Sequence, residues 1–240
     1  MSQILRQRSD LKGKVVVDLA CGDGRTTHLL RELGAHVRPF DIMPEVYRLD
    51  GEPPAYADVM DSLPIESQSV DMVILQEVIE HLPNHLFVLQ EIDRVLKPGG
   101  ELFITTPNRS AFVSKLAFVG FESEHLRGMP AGERDSVWGQ RGTRKYYGHL
   151  FLIGVQQLRT LSLMAGFKSI RVHKSRVSSS SAVLMIPLYP IVALISAHSY
   201  FRARRKAKCD LARAERTEQL RLNLNPRVLI NKYLIASLVK

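Results

Sequence analysis

The sequence predicts a doubly wound α/β protein built on a parallel sheet. Three observations predict it. Short apolar runs rich in β-branched residues recur along the chain, helical tracts with amphipathic spacing follow them, and Gly, Pro or Asp punctuates the junctions. "KVVVDL" (14–19) reads as a buried strand. "ACGDG" turns the chain into "RTTHLLRELG", a helix closed by Gly34. "HVRPFD" (36–41) is a second strand, weakened by Pro39. "VDMVIL" (70–75) is a third, and an amphipathic helix from about Asn84 to Leu96 stops at Pro98 and two glycines. "ELFITT" (101–106) is the next strand, "GVQQLRTLSLMAGF" a helix ended by Gly166, and "KSIRVHKSRV" the strand after it. No internal repeat interrupts this order.

Composition sets the outer bounds. A chain of 240 residues with 45% hydrophobic and 24% charged residues fits one globular domain with an appendage. Cys21 and Cys209 are far apart and lack ligand spacing, which argues for a reduced, cytoplasmic protein without a disulfide framework or zinc site. "MSQILRQRSDLKGK" has no apolar core of signal-peptide length. The charge is uneven: Arg202 to Lys240 holds eleven Lys or Arg against Asp210, Glu215 and Glu218, which is +8 of the total +9. Whatever polyanion the protein meets, it meets there.

In a doubly wound sheet a ligand sits past the carboxyl ends of the strands. The first strand runs into Asp18-Leu-Ala-Cys-Gly22-Asp-Gly24, where two glycines allow a tight turn and a close backbone approach. Asp41 ends the second strand, where a carboxylate accepts ribose hydroxyls. A dinucleotide fingerprint would place its third glycine at residue 27, which is Thr27. Asp18 and Asp23 would also repel a pyrophosphate. A cationic, phosphate-free ligand such as S-adenosylmethionine suits them.

"VVVDLACGDGR", "FDIMP", "VDMVILQEVIEHL", "VLKPGGELFITTPN" and "LSLMAGF" occur in the order found in class I S-adenosylmethionine-dependent methyltransferases. The chain resembles that family over roughly residues 10–175. The resemblance implies a Rossmann-like seven-stranded sheet whose last strand is antiparallel. It implies that Asp18, Ala20, Gly22 and Gly24 line the methionine part of the cofactor. Asp41 would hold the ribose, Ile42 would pack on the adenine, Asp58 and Val59 would meet its edge, and Gln76 and Glu77 would lie beside the methyl donor. The stretch from Asp58 to "LP" at 63–64 is a residue longer than usual, so Asp58 is less secure than Asp41.

"QEVIEHL" (76–82) places Glu77, Glu80 and His81 at i, i+3 and i+4, one face of a helix. The tract is similar to that of ubiquinone-pathway O-methyltransferases and small-RNA 2′-O-methyltransferases. That similarity implies a divalent-ion site for Mg²⁺, Mn²⁺ or Zn²⁺ formed by Glu77, Glu80 and His81, with His149 of "GHLFLIGVQQL" as a fourth ligand. Two other roles stay open: His81 or His149 as a general base, and a structural role in which Glu80 orients His81 or caps helix-start amides.

Two excursions bear on the acceptor. Residues 107–150 form a lid-length insertion within a core of 1–176; "SVWGQRGTRKYYGH" puts Arg141, Arg144 and Lys145 among aromatics, suited to an anionic acceptor. Residues 177–228 separate the sixth strand from an antiparallel seventh near 229–240. They carry "AVLMIPLYPIVALISAHSYF" (182–201) and then "RARRKAK". About 20 apolar residues suffice to span a bilayer. Pro187 and Pro190 should break the helix, however, and the chain must return to the same sheet. A helical insertion lying on an anionic membrane surface satisfies both. The expectation is an O-methyltransferase acting at the inner membrane face on a lipid, quinone or lipid-linked glycan. The competitors are an RNA 2′-O-methyltransferase, a soluble small-molecule enzyme and a non-catalytic scaffold. The oily neighbour of the basic tail argues against nucleic acid. Oligomeric state is not encoded legibly.

Overall fold

The computed structural model describes residues 1–123, 132, 134, 136–141 and 144–240. The chain divides into two compact units. The first comprises Met1–Thr106, Arg159–Arg171 and Ile235–Lys240; the second comprises Pro107–Leu158 and Val172–Leu234.

In chain order the elements are α1 (Ser2–Arg6), β1 (Val15–Leu19), α2 (Arg25–Glu32), β2 (His36–Asp41), β3 (Ala55–Tyr56), β4 (Val70–Gln76), α3 (His85–Val95), β5 (Leu96–Pro107), α4 (Phe112–Phe121), β6 (Val137–Arg141), β7 (Arg144–Tyr147), α5 (Val155–Ala165), β8 (Ser169–Val172), α6 (Ser179–Lys206), α7 (Asp210–Asn223), α8 (Pro226–Ile230) and β9 (Tyr233–Val239). Seven strands form one sheet in the order β3-β2-β1-β4-β5-β9-β8. β1 pairs in parallel with β2 and β4, and β4 with β5. β9 runs antiparallel to β5, since Gly99 N–H bonds the Lys240 carbonyl and Lys240 N–H bonds that of Gly100. The expected α/β class, strand count and antiparallel last strand are all present.

The central strands are apolar on both faces, as a sheet covered on both sides requires. Val16, Val17, Val73, Ile74, Leu102 and Phe103 are fully buried. Each such aliphatic side chain stabilises the fold by about 1.5–3 kcal/mol. α3 places Val88, Leu89, Ile92 and Val95 inward at helical spacing, and the Asn84 side chain caps it by accepting from Phe87 N–H at 3.2 Å. Pro39 does not disturb β2, because β3 pairs only with Phe40 and Asp41 and leaves the edge open at residue 39.

Other expectations need correction. "EVIEHL" is not a helical face: Glu77 has φ 53°, and only Ile79–His81 form a single 3₁₀ turn. Glu77 therefore does not share a helical turn with Glu80 and His81. The sixth strand is Ser169–Val172, shorter than 168–177, followed by an isolated bridge from Val177 to Asn231. Pro187 and Pro190 do not break α6, which runs 28 residues through both. The two prolines are one turn apart, so the missing N–H groups concentrate on one side. The helix is held at its start by Ser178, whose Oγ caps Ser181 N–H at 3.3 Å, and along its length by α4, α7 and α8.

In the second unit the lid region carries α4 and the antiparallel β6–β7 hairpin, with Arg141 opposite Arg144 and Gln140 opposite Lys145. Residues 124–131, 133, 135, 142 and 143 of the expected lid lie outside the described residues. Asn108, fully buried, ties the lid's start to the end of the helical insertion. Its amide nitrogen donates to the carbonyls of Val228 (2.8 Å) and Asn231 (2.7 Å), while its Oδ1 accepts from Ser110 N–H. α7 packs antiparallel along α6, through Tyr200 with Thr217 and Tyr189 with the Leu224 carbonyl.

Candidate functional site

The first unit gathers its polar groups at the carboxyl ends of β1, β2, β4 and β5. After β1 the chain reverses through Ala20 (φ 60°), Gly22 (φ 53°) and Gly24 (φ 86°) into α2. Gly24 is required on two counts. Its φ is left-handed, and a Cβ there would stand 2.6 Å from Cε2 of Tyr47. At Gly22 a Cβ would meet nothing within 4 Å, so the backbone faces open space.

Asp41 fixes this turn. One carboxylate oxygen accepts from Gly22 N–H at 2.8 Å and the other from Met43 N–H at 2.8 Å. Asp18 is 2% exposed and accepts from the Thr27 hydroxyl at 2.6 Å. Burial, reinforced by the Asp41 charge, pushes Asp18 up to about 6. Asp58 is buried after β3 and accepts from Met60 N–H at 2.9 Å; Val59 beside it is buried as well. Ile42, half-buried, directly follows Asp41. Gln76 ends β4 exposed, and its side-chain oxygen accepts from the Thr26 hydroxyl at 3.0 Å.

The arrangement fits a cationic cofactor. Two buried acids flank a glycine turn, and the Tyr47 hydroxyl is buried without a hydrogen-bond partner while its ring lies against Gly24. S-adenosylmethionine, the cofactor that the sequence reading assigns to these residues, suits this donor and acceptor set.

The β4–β5 end forms a second cluster. Glu77 N–H bonds the Thr105 carbonyl at 2.9 Å, and the Glu77 carboxylate accepts from the Thr105 hydroxyl at 2.7 Å. Glu80 is fully buried and accepts from the Thr106 hydroxyl at 2.9 Å. Burial, with the Glu80 charge adding to it, lifts Glu77 to about 7; burial also raises Glu80. The sequence reading missed Thr105 and Thr106. Their signal was present in "FITTP": two hydroxyls at a strand end, beside a carboxylate-rich turn. His81 sits half-buried at the end of the 3₁₀ turn. His149 belongs to the second unit, in the exposed segment after β7.

Residues 17–104 match the family model described as "Methyltransferase domain". A ubiquinone biosynthesis O-methyltransferase of Xanthomonas oryzae pv. oryzae is 38% identical over 124 residues, covering 48% of this chain and 52% of that protein. The chain thus spans about half the length of the curated relatives it matches. A Thermotoga maritima structure described as a S-adenosylmethionine-dependent methyltransferase, possible histamine N-methyltransferase, shares the fold. Its TM-score is 0.56 at 14% identity, over 100% of this chain and 87% of that one. A Haemonchus contortus phosphoethanolamine N-methyltransferase 2, solved with S-adenosyl-L-methionine, aligns with TM-score 0.52 at 17% identity, over 100% of this chain and 52% of that one.

Proposed function

We propose that this chain, which carries a class I S-adenosylmethionine-dependent methyltransferase domain, methylates a hydroxyl of a lipid, quinone or lipid-linked glycan acceptor at an anionic membrane surface. The observation that carries the O-directed part is the Glu77–Thr105 and Glu80–Thr106 pair, which holds a carboxylate at the end of β4 with its pKa near neutrality. S-adenosylmethionine supplies a methyl group already activated on sulfonium, so positioning provides much of the rate, worth up to about 7–11 kcal/mol. A hydroxyl acceptor must still lose its proton. Glu77 titrates where a general base is most effective, and the hydroxyl of Thr105 holds its carboxylate in place. The relatives named as O-methyltransferases support the same reading over the cofactor half of the chain.

Glu80 and His81 are the remaining proton-accepting or ion-binding groups of the first unit in this proposal, and His149 is a candidate base of the second. A turnover assay in EDTA separates the two roles. Loss of rate restored by Mg²⁺ points to an ion, whereas an unchanged rate leaves side-chain bases alone.

α6 supports the membrane part. Of its residues only Ser181 is buried, and Val183, Ile186, Leu194 and Ile195 are all more than 60% exposed. Arg202, Arg204, Arg205, Lys206 and Lys208 follow at once and are exposed. A 28-residue helix is about 42 Å long, enough to cross a bilayer. Its partner α7 argues against a crossing, since α7 lies alongside and carries Arg213, Glu215, Arg216 and Glu218. Dragging those charges into hydrocarbon costs far more than laying α6 on the headgroups, where each basic residue contributes about 1 kcal/mol. Co-sedimentation with phosphatidylglycerol vesicles tests this. Retention of the protein in the supernatant would end the membrane reading.

A further inference from the structure

Within the second unit lies a cavity of about 270 Å³ that the methyltransferase reading does not use. Its wall includes Arg109, Ser110, Lys115, Gln156, Gln157 and Asn223. Two cations face it, and among the described residues of its lining there is no carboxylate.

Lys115 is the most informative of these groups. It stands half-buried on α4, and its nearest recorded partner is the ring of Phe112, 6.0 Å from the ammonium. No described carboxylate pairs with it, and burial lowers its pKa with nothing opposing. A desolvated, unpaired ammonium is a cost that an incoming anion relieves. Arg109 lies over the ring of Phe118, its Cζ 5.2 Å from the centroid, and its Nη1 donates to the Leu152 carbonyl at 3.5 Å.

The donors converge from different directions. α5 begins at this wall, and Ser110 Oγ accepts its first N–H, that of Val155, at 2.9 Å. The next first-turn amides of a helix have no carbonyl partner within it, and Gln157 supplies one of them at this wall. Gln156 is itself held by Asn223 at 2.9 Å and the Gln219 carbonyl at 2.8 Å. Donors arriving from α4, from the loop before it and from α5 suit a tetrahedral oxyanion better than a planar one. The same α4 exposes Leu116, Phe118, Val119 and Phe121.

We propose that this cavity is an anion site that takes a phosphate group, gripped by Arg109 and Lys115 at the start of α5. The phosphate comes either free or as the headgroup of an amphiphile whose apolar body lies along α4. The site stands on second-unit geometry alone, so it survives or fails independently of the methyltransferase and membrane readings.

The test is thermal unfolding of the full chain in inorganic phosphate, with ionic strength held constant by chloride. A second arm uses dihexanoyl phosphatidylglycerol below its micellar concentration. At about ten times the dissociation constant the proposal expects Tm to rise by about 3–6 °C in wild type. Lys115→Met should fold at least as stably as wild type without ligand and lose the rise, while Lys115→Arg should keep it. A rise in the phosphate arm identifies a free-phosphate site; a rise confined to the phosphatidylglycerol arm identifies a headgroup site. No rise in either arm, or an equal rise in Lys115→Met, overturns the proposal.

Discussion

The two units of this chain bury different kinds of polar group. In the first unit the buried set includes four acids, Asp18, Asp41, Asp58 and Glu80, each accepting from a backbone amide or a threonine hydroxyl, besides His85 and Arg159. In the second unit the buried polar residues, among those described, are neutral: Asn108, Ser114, Ser123, Ser181 and Asn231. The charged groups near its cavity are cations, Arg109 and Lys115. The carboxylates of the first unit suit a cation, and the half-buried Arg109 and Lys115 of the second suit an anion. On the proposals above, the difference teaches that the first unit suits a sulfonium and ammonium cofactor and the second a phosphate group, free or as a headgroup.

The comparison breaks most visibly at Glu77. Glu77→Gln keeps the Thr105 contact but removes the base, so kcat should fall about 10²–10⁴-fold. In wild type the base must be ionised, so the rate should fall as pH drops through about 7. In Glu77→Gln that limb should vanish. A pH–rate profile identical to wild type would remove Glu77 from the chemistry. Next in size is Asp41→Ala, which leaves the amides of Gly22 and Met43 without their acceptor. Each orphaned buried donor costs about 1–3 kcal/mol, and calorimetry should show S-adenosylhomocysteine affinity weakened at least about 10-fold.

Smaller effects sharpen it. Gly24→Ala forces a side chain into φ 86° and against Tyr47, and urea unfolding should register a loss of about 1–3 kcal/mol. Asp18→Asn should do the reverse. The folded state raises Asp18 to about 6, so it favours the neutral acid. Its contribution is therefore fully present below the unfolded value near 4 and is lost as pH rises through 6. Ligand-free Asp18→Asn should be more stable than wild type at pH 8 and nearly equal at pH 4, while binding cofactor less well. Last, Val183→Gln, Ile186→Gln, Leu194→Gln and Ile195→Gln combined should leave unfolding within about 0.5 kcal/mol per site, because all four are exposed. The same protein should lose its hold on phosphatidylglycerol vesicles; undiminished binding would divert the membrane contact away from α6.

What was legible in the sequence follows the same division. The first unit announces itself because its requirements are local. A left-handed turn needs Gly22 and Gly24, a strand buried on both faces needs "VVVDL", and a strand-end carboxylate needs Asp41. The β4 turn was misread because i, i+3, i+4 spacing is shared by a helix and by a strand end that kinks at Glu77 before a 3₁₀ turn. Thr105 and Thr106 were missed because partners 28 and 26 residues away fix no spacing, which leaves the paired hydroxyls at the end of "FITTP" as their one signal. In the second unit little is local. Pro187 and Pro190 are helix breakers by propensity, yet packing against α4, α7 and α8 carries α6 through them. The Lys115 cavity joins segments more than a hundred residues apart, and no motif announces it.

The most direct test of the opposite-charge account is isothermal titration of S-adenosylhomocysteine, whose ammonium should pair with ionised Asp18, into wild type and Asp18→Asn at pH 7.5 and pH 5. The account predicts saturable binding that weakens in wild type as pH falls through about 6, and weaker, pH-independent binding in Asp18→Asn. Equal affinity for both proteins at both pH values, or no binding to folded wild type, would contradict it.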